Sequence, residues 1–212
     1  MSLHLYAATS NRGKLREFKQ MAGSAGVEIL PMPENLLDPP MEETGETFSE
    51  NARLKAEGYS LRSPGQLVFA DDSGLCVDAL NGAPGVHSAR YATMEPGVFD
   101  VSGESVDAMN NERLLRELAK RSIESRKAKF VCVIAVALDG KTLAEFIGEA
   151  EGEIIDGPRG TEGFGYDPLF YFPSLKKTFA ELSPIEKANH SHRGAAFKAM
   201  LQKKELFTAK AE

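Results

Sequence analysis

Residues 129–155 read KFVCVIAVALDGKTLAEFIGEAEGEII, and this stretch decides the class of fold. An apolar run from Lys129 to Leu138 is followed by Asp139-Gly140 and then by a second strand-forming run, Thr142 to Ile155. Asp-Gly between two such runs favours a type I′ turn, because the twist of that turn matches the twist of paired strands. The sequence therefore predicts a β-hairpin of two long strands, the strongest hairpin signal in the chain.

The segments before this hairpin alternate between strand and helix patterns. Leu3 to Thr9 is a short apolar strand candidate that leads into a helix with one apolar face. A second helix begins at Thr47, because Thr47 and Glu50 have the spacing of a capping box, and a third extends from about Ser105 to Arg121. Together with the hairpin, these segments predict an α/β fold: a mixed, elongated and twisted sheet with flanking helices and a central cleft.

Composition indicates an ordinary globular protein. The chain has 212 residues, of which 42% are hydrophobic and 26% charged, enough for one well-buried domain over residues 1–212, with two lobes around one cleft as the alternative arrangement. A net charge of -6 argues against a general nucleic-acid binder.

Localisation is predicted from what the sequence lacks. Cys76 and Cys132 lie in apolar runs without metal-ligand spacing, which favours a reducing compartment. The N-terminus lacks the pattern of a signal peptide, and the longest apolar run, Phe130 to Leu138, is too short to span a bilayer. We therefore expect a cytoplasmic protein that does not bind a membrane.

The segment FADDSGL, Phe69 to Leu75, is the first candidate site. A strand over Leu67 to Ala70 is expected to end at Asp71 and Asp72, with another strand from about Leu75. Paired carboxylates at the end of a buried strand supply rigid oxygen ligands for a hard cation such as Mg²⁺, with room for a substrate phosphate. The alternative is that Asp-Asp-Ser-Gly simply forms a turn.

The junction after the first strand, Thr9-Ser10-Asn11-Arg12-Gly13-Lys14, is a candidate phosphate site. Unpaired N–H groups at a helix N-terminus favour an anion, and Lys14 adds a full positive charge. The segment is not a Walker loop, because Leu15 stands where that motif has Ser or Thr after its lysine. The alternative is a capped helix with a surface lysine.

A second acidic pair, Glu42-Glu43, precedes the second helix. If the fold brings it to Asp71 and Asp72, four carboxylates would repel one another strongly unless Mg²⁺ or Mn²⁺ neutralised them. The alternative is that these glutamates interact favourably with the dipole of the following helix.

Two late segments suggest recognition of a ligand. GTEGFGYDPLF, residues 160–170, suits a loop that lets a planar base lie against Phe164 or Tyr166; a glycine-rich turn with core aromatics is the alternative. The later segment ELSPIEKANHSHRGAAF concentrates positive groups, and Lys187, His192 and Arg193 suit phosphate or base recognition. The spacing of His190 and His192 disfavours a zinc site.

These motifs together resemble those of the inosine and xanthosine triphosphate pyrophosphatase family. The resemblance extends nearly end to end, and its motifs occur in the family order: TSNRGK, EETGETFSENARLKA, FADDSGL, LNGAPGVHSARYA, GFGYDPLF and the segment 187–194. It implies hydrolysis of ITP, dITP and XTP to the nucleoside monophosphate and pyrophosphate. It also implies a homodimer.

The resemblance also implies roles for individual residues. Glu42 and Asp72 would be the leading ligands of Mg²⁺ or Mn²⁺, with Glu43 and Asp71 as helpers, and Asp72 would also accept a proton. Residues expected to contact the phosphates are Thr9, Ser10, Asn11, Arg12, Gly13, Lys14, Lys55 and Lys187. Ser73 would also contact the nucleotide. Residues expected to contact the purine are Phe164, Gly165, Tyr166, Asp167, His192 and Arg193.

The sequence leaves three other functions open. A related Maf-like pyrophosphatase would act on other nucleotides, such as dTTP and UTP. A nucleotide sensor would bind ITP without releasing pyrophosphate. A phosphatase with an aspartyl nucleophile would release orthophosphate, although such enzymes have one residue between their two acids, whereas Asp71 and Asp72 are adjacent.

Overall fold

The computed structural model describes residues 3–23, 26–94, 105–121 and 125–208. In these ranges, strands form a seven-stranded sheet in the order β2-β1-β3-β4-β5-β6-β7. Strand β1 is parallel to β2 and β3, whereas β5 is antiparallel to β6, so the predicted mixed sheet and α/β class are confirmed. The strands are β1 Leu3–Ala7, β2 Val27–Pro31, β3 Val68–Val77, β4 Lys127–Leu138, β5 Lys141–Ile154, β6 Phe170–Phe172 and β7 Lys177–Thr178.

Helices flank this sheet, and their starts follow from local side-chain caps. The Asn11 side chain accepts a hydrogen bond from the N–H of Lys14 at the start of α1. The predicted capping box of Thr47 and Glu50 is present at the start of α3. The helices are α1 Arg12–Ala22, α2 Glu34–Leu37, α3 Phe48–Leu61, α4 Val106–Ala119, α5 Pro184–His190, α6 His192–Gln202 and α7 Glu205–Thr208. None of those in the described ranges is long and apolar enough to cross a membrane.

The predicted hairpin is confirmed as β4 and β5. Only Asp139 and Gly140 separate the two strands, and both residues have positive φ, 48° and 79°. Positive φ at both central positions is what a type I′ turn requires, and Gly meets that requirement without a steric penalty.

Strand β3 corrects the prediction for FADDSGL. We predicted that one strand ends at Asp71 and that another begins near Leu75, but Val68–Val77 is one continuous strand. The turn alternative for Asp-Asp-Ser-Gly is therefore also wrong. Strand β3 lies between β1 and β4, and its pairing with β1 ends at Phe69, before the two aspartates. Nearby lysines and an arginine offset the charges of Asp71 and Asp72 inside the strand.

The described chain divides into two compact units, each with its own apolar core. The first unit contains residues up to Ser73, Cys132–Glu149 and the residues from Ala188 onward; the second contains Gly74–Val131 and Ala150–Lys187. In the first core, the ring centroid of Phe18 lies 5.0 Å from that of Phe69 and 5.3 Å from that of Phe197. In the second core, the rings of Phe130 and Phe179 are both 4.7 Å from the ring of Phe170. The cleft stays a prediction.

Candidate functional site

A cluster of opposite charges surrounds the two aspartates in the first unit. We call it the charged cluster: Asp71 and Asp72 with the cations Lys14, Lys55 and Arg193. Adjacent residues of a strand point to opposite faces of a sheet. Asp71 therefore points, like Phe69, to the face covered by α1 and α6, whereas Asp72 points toward α3.

Asp71 is held by two cations and a hydroxyl. Its Oδ2 atom lies 2.9 Å from Nζ of Lys14 and 3.6 Å from Nε of Arg193, and it accepts a hydrogen bond from Oγ of Ser73 at 3.1 Å. Its side chain is only 1% exposed. Burial alone would raise the pKa of Asp71, but the charges of Lys14 and Arg193 outweigh that effect and hold the pKa well below its usual range. Asp71 is therefore a permanent carboxylate.

Arg193 has a second carboxylate partner that the sequence did not single out. Its Nη1 atom lies 2.6 Å from Oε2 of Glu17, and its Nη2 atom donates to Oγ of Ser73 at 2.9 Å. Glu17 lies on α1, one turn after Lys14. Lys14 and Glu17, three positions apart on one helix face, reach the two members of one buried pair, Asp71 and Arg193. The spacing indicated that they share a helix face but not which groups they contact.

Asp72 has a different environment from Asp71. Nζ of Lys55 lies 2.9 Å from its Oδ1 atom and 2.7 Å from Oε1 of Glu43, so one ammonium group joins two carboxylates. Burial raises the pKa of Asp72 despite the charge of Lys55. Burial opposes the charge on Lys55, but Asp72, Asp71 and Glu43 together raise the pKa of that ammonium. Asp72 is thus the more basic carboxylate of the adjacent pair.

Asn51 connects Asp72 to the loop that carries Glu42 and Glu43. Its amide Nδ2 donates to Oδ2 of Asp72 at 3.4 Å, and its Oδ1 accepts the N–H of Gly45 at 2.8 Å. The acid of this loop that shares a lysine with Asp72 is Glu43, whereas Glu42 is exposed. We predicted no role for Asn51 from the sequence.

The predicted phosphate segment is a capped helix start. Oγ1 of Thr9 accepts the N–H of Asn11 at 3.2 Å, and Ser10, Asn11 and Arg12 are exposed. N–H groups in the first turn of a helix have no intrahelical acceptor, so they suit an anion. Lys14, at the end of this segment, reaches Asp71 instead of lying free on the surface.

Helix α6 packs directly on β5 because of a glycine. A Cβ atom at Gly148 would lie 2.2 Å from the carbonyl oxygen of His192 and 2.3 Å from the nitrogen of Ala196. Ser191 caps the helix by accepting the N–H of Gly194 at 3.1 Å. His192 and Arg193 follow the cap and are 3% and 2% exposed. Both are therefore buried side chains of the first unit and not surface groups.

A second candidate site lies in the second unit, in the segment that we call the Phe164 loop, residues 160–168. Oδ2 of Asp167 accepts the N–H of Phe164 at 2.9 Å and lies 2.6 Å from Nζ of Lys187. That ammonium is 4.9 Å from the centre of the Phe164 ring, a cation–π distance. Gly163 has a φ of 81°, and a Cβ there would lie 2.1 Å from Oδ2 of Asp167.

Tyr166 lies in the core of the second unit. Its side chain is 3% exposed, and its hydroxyl donates to the carbonyl oxygen of Ser88 at 2.9 Å. Burial raises the pKa of Tyr166 strongly. This placement matches the alternative of a core aromatic, whereas Phe164 is half-buried and lines a cavity beside α4.

Two further residues of the second unit, Asp107 and Asn111, hydrogen bond to Gly165 of the Phe164 loop. We predicted no role for them from the sequence. A signal was present, because asparagine is a poor helix former and two of them, Asn110 and Asn111, stand side by side inside α4.

Among the residues that the structure describes, no group of three or more His, Cys, Asp or Glu side chains is arranged to hold a metal ion. The described ranges therefore contain no ready-made cage of protein ligands. A metal bound there would take few protein ligands and fill its other positions with water or phosphate oxygens, which is the usual habit of Mg²⁺ beside phosphates.

Comparison with known proteins gives consistent matches over most of the chain. The sequence model of the Ham1 family matches residues 5–203. The dITP/XTP pyrophosphatase of Acidobacterium capsulatum is 52% identical over 95% of this chain and 98% of its own length. That of Geobacillus kaustophilus is 49% identical over 89% of this chain and 88% of its own length. The solved structure of a HAM1 protein from Coxiella burnetii superimposes with a TM-score of 0.80 at 38% identity, covering 96% of this chain and 98% of that one.

Proposed function

Because this chain belongs to the Ham1 family, we propose that it hydrolyses purine nucleoside triphosphates with a non-standard base, namely ITP, dITP and XTP. The products are the nucleoside monophosphate and pyrophosphate. Support comes from relatives named dITP/XTP pyrophosphatase, which are 52% and 49% identical over 95% and 89% of this chain. Removal of such nucleotides cleanses the nucleotide pool.

One observation carries the proposal: two adjacent buried carboxylates, Asp71 and Asp72, are neutralised by lysines that are not fully buried. The side chains of Lys14 and Lys55 are 17% and 12% exposed. A polyphosphate can therefore approach these ammonium groups and share their charge with the aspartates. We infer that the triphosphate contacts Lys14, the helix start at residues 9–13, and Lys55. Ser73, which contacts Asp71 and Arg193, would contact the nucleotide as the resemblance implies.

The difference between the two aspartates suggests a division of roles. Asp71, with its lowered pKa, keeps its charge and orients Lys14 and Arg193. Asp72, with its raised pKa, is better suited to accept a proton. In the proposed step, a water oxygen attacks the α-phosphorus and passes its proton to Asp72. The bond from the α-phosphorus to the bridging oxygen breaks, and its electron pair leaves with pyrophosphate.

We also propose that Mg²⁺ or Mn²⁺ takes part. Carboxylates suit such hard cations, and Asp72 and Glu43 already converge on one cation, the ammonium of Lys55. Asp72 would hold the metal together with Glu42 or Glu43, the two acids of one loop. A bound metal would supply positive charge for the developing phosphoryl and pyrophosphate oxygens.

Base selection is proposed to depend on stacking and on donors. The half-buried ring of Phe164 can stack on a purine, with the ammonium of Lys187 4.9 Å away. A 6-oxo group accepts hydrogen bonds, so a donor that faces the base would favour hypoxanthine and xanthine over adenine, and the family resemblance alone makes His192 and Arg193 the candidates. Gly165 and Asp167 belong to the same loop as Phe164. Guanine shares the 6-oxo group and must be excluded through its 2-amino group.

The cellular setting is proposed on the same grounds. Cys76 and Cys132, the two cysteines of the chain, lie in apolar runs without metal-ligand spacing, which supports a reducing compartment such as the cytoplasm. A homodimer is proposed from the family resemblance alone. The net charge of -6 supports a small-molecule substrate over nucleic acid.

A nucleotide panel tests the function. Purified protein with Mg²⁺ should release pyrophosphate from ITP, dITP or XTP much faster than from ATP or GTP, and a chelator should stop the release. Asp72→Asn should lower kcat by roughly 10²–10⁴-fold, the usual contribution of a general base. Asp78→Asn is the matched control, because Asp78 is an exposed aspartate directly after β3.

Each competing function gives its own result in the same panel. Faster turnover of dTTP or UTP would indicate a Maf-like enzyme, and orthophosphate in place of pyrophosphate would indicate an aspartyl phosphatase. Binding of ITP by calorimetry without any product would indicate a sensor. Equal rates on all purine nucleotides would contradict the proposed specificity.

A further inference from the structure

We propose that Asp107 and Asn111 of α4 are positioning residues that hold the Phe164 loop in the geometry that selects the purine. The inference rests on the proposed function, since it concerns how the same enzyme chooses its base. Neither residue is expected to touch the reacting phosphate. Both act through the peptide groups of Gly165, the residue directly after Phe164.

Helix α4 binds both polar groups of one loop residue. Oδ2 of Asp107 accepts the N–H of Gly165 at 2.7 Å, and Nδ2 of Asn111 donates to the carbonyl oxygen of Gly165 at 2.9 Å. Asp107 and Asn111 are four residues apart, so they lie on the same helix face. A donor and an acceptor fixed on one rigid helix determine both the position and the direction of the Gly165 backbone. We call this pair of contacts the Gly165 clamp.

The orientation of the Asn111 amide follows from its neighbours. Its Nδ2 atom also donates to the backbone oxygen of Asp107 at 2.8 Å, so this end of the amide faces two acceptors. Only the NH₂ group has two hydrogens to give, and the Oδ1 atom must then point away. Within the described ranges that buried Oδ1 has no hydrogen-bond partner. Asn111 therefore binds Gly165 as a donor, and an acceptor in its place would repel the carbonyl.

The loop depends on the clamp because packing does not fill the space beside it. A cavity of about 480 Å³ lies next to α4 and the Phe164 loop. Its lining includes Ala108 and Leu115 of α4 and Pro158, Phe164 and Leu169. Protein side chains do not fill this cavity, so the residues that line it make fewer of the packing contacts that fix a loop in position. The charge-assisted bond from Asp107 and the bond from Asn111 therefore contribute more to the loop geometry than they would in a filled site.

Helix α4 is itself a fixed support. Leu114 and Leu118 are 0% and 1% exposed in the core of the second unit. Asn110 accepts the N–H of Ala92 at 2.7 Å and donates to the backbone oxygen of Ala89 at 3.2 Å. Asn110 thus binds the segment that contains Ala89 and Ala92, whereas its neighbour Asn111 binds the Phe164 loop. We therefore expect that loss of the Gly165 clamp shifts the Phe164 loop while α4 stays in place.

Four variants separate the clamp from its surroundings. Asp107→Ala removes the acceptor, and Asn111→Asp replaces the donor by an acceptor of nearly the same size. Asp107→Asn is the conservative variant, because an amide oxygen still accepts the N–H of Gly165. Glu112→Gln is the control: Glu112 lies on the same helix, lines the same cavity and is exposed.

The kinetic readout is a split between KM and kcat. With ITP and Mg²⁺, Asp107→Ala and Asn111→Asp should each raise KM on the order of tenfold, as expected for loss of one charge-assisted or buried hydrogen bond. Their kcat should stay within about twofold, and their preference for ITP over ATP in kcat/KM should fall by a similar factor. Asp107→Asn should keep most of the wild-type KM, and Glu112→Gln should keep all of it.

A second readout does not need activity. Hydrogen–deuterium exchange of peptides covering residues 160–168 should accelerate in Asp107→Ala and Asn111→Asp, with peptides from β4 unchanged, whereas Glu112→Gln should exchange like the wild type. Unchanged exchange and unchanged KM in both clamp variants would overturn the inference. A wild-type protein without pyrophosphatase activity would sink the proposed function, and the exchange data would still decide whether the clamp holds the loop.

Discussion

Replacement of Lys14 by methionine should destabilise the first unit by leaving Asp71 with fewer compensating charges. Nζ of Lys14 lies 2.9 Å from Oδ2 of Asp71, whose side chain is 1% exposed. Removal of one partner of a buried ion pair typically costs roughly 3–5 kcal/mol, because the other charge stays buried. Arg193 at 3.6 Å and Ser73 at 3.1 Å remain beside Asp71. Because these two partners remain, we expect the free energy of unfolding to fall by about 2 kcal/mol, which is less than the typical cost.

The pH dependence of this loss gives the sharper test. In the wild type the pKa of Asp71 is lower in the folded than in the unfolded chain, so its carboxylate stabilises the fold above the unfolded pKa. That contribution disappears as the pH falls through the folded pKa. Without Lys14, the largest of the charges that lower the pKa of Asp71 is lost, so we expect this pKa to rise. The loss in Lys14→Met should then be largest at pH 7 and should shrink below about pH 4, the ordinary aspartate range.

Urea denaturation followed by circular dichroism, at pH 7 and at about pH 3, measures this loss in the free energy of unfolding. Lys19→Met is the control, since Lys19 is an exposed lysine in the last turn of the same helix. In the double variant Lys14→Met with Asp71→Asn, the buried charge is gone, so the effects of the single variants should not add. Strict additivity, or a loss that is as large at about pH 3 as at pH 7, would refute this account of the buried charge.

Two further predictions concern the pH profile and the Phe164 loop. Burial raises the pKa of Asp72 in the enzyme without bound metal, so the acid limb of kcat/KM for ITP, which reports the free enzyme, should lie above the ordinary aspartate pKa of about 3.9; a limb at or below that value would argue against Asp72 as the base. Gly163→Ala places a methyl group 2.1 Å from Oδ2 of Asp167 at a φ of 81°, so thermal denaturation should show a loss of about 2 kcal/mol. Gly157→Ala is the control, where an added Cβ meets nothing within 4 Å, and an equal loss in both variants would contradict the steric explanation.

Local chemistry explains the fold predictions that were confirmed. The turn at Asp139-Gly140 and the capping box of Thr47 and Glu50 depend on residues within four positions of each other. Interactions of that range are nearly independent of the rest of the fold, so the sequence alone specifies them. The end of the strand at Asp71 was predicted wrongly for the opposite reason. Whether a charged residue stays inside a strand depends on cations that arrive from distant helices.

The candidate site was predictable in its residue types but not in its pairings. Ordered motifs indicated Asp72, Lys14, Lys55 and Phe164, yet no local signal joined Lys14 to Asp71 or Glu17 to Arg193. The latter pair is separated by 176 positions in the chain. Nor did the sequence distinguish Phe164, which is half-buried, from Tyr166, which is a core residue, since both are aromatics of one glycine-rich loop.

The sequence by itself determined the α/β class, the central hairpin, the helix starts and the set of residues that carry charge. Tertiary structure alone decided that Asp71 and Asp72 sit within one strand, that their pKa values move in opposite directions, and that Asp107 and Asn111 hold Gly165. The physical reason is how far apart in the sequence the interacting residues lie. Turns and caps form between neighbours in sequence, whereas burial and the distance between opposite charges exist only once separate segments of the chain have packed together.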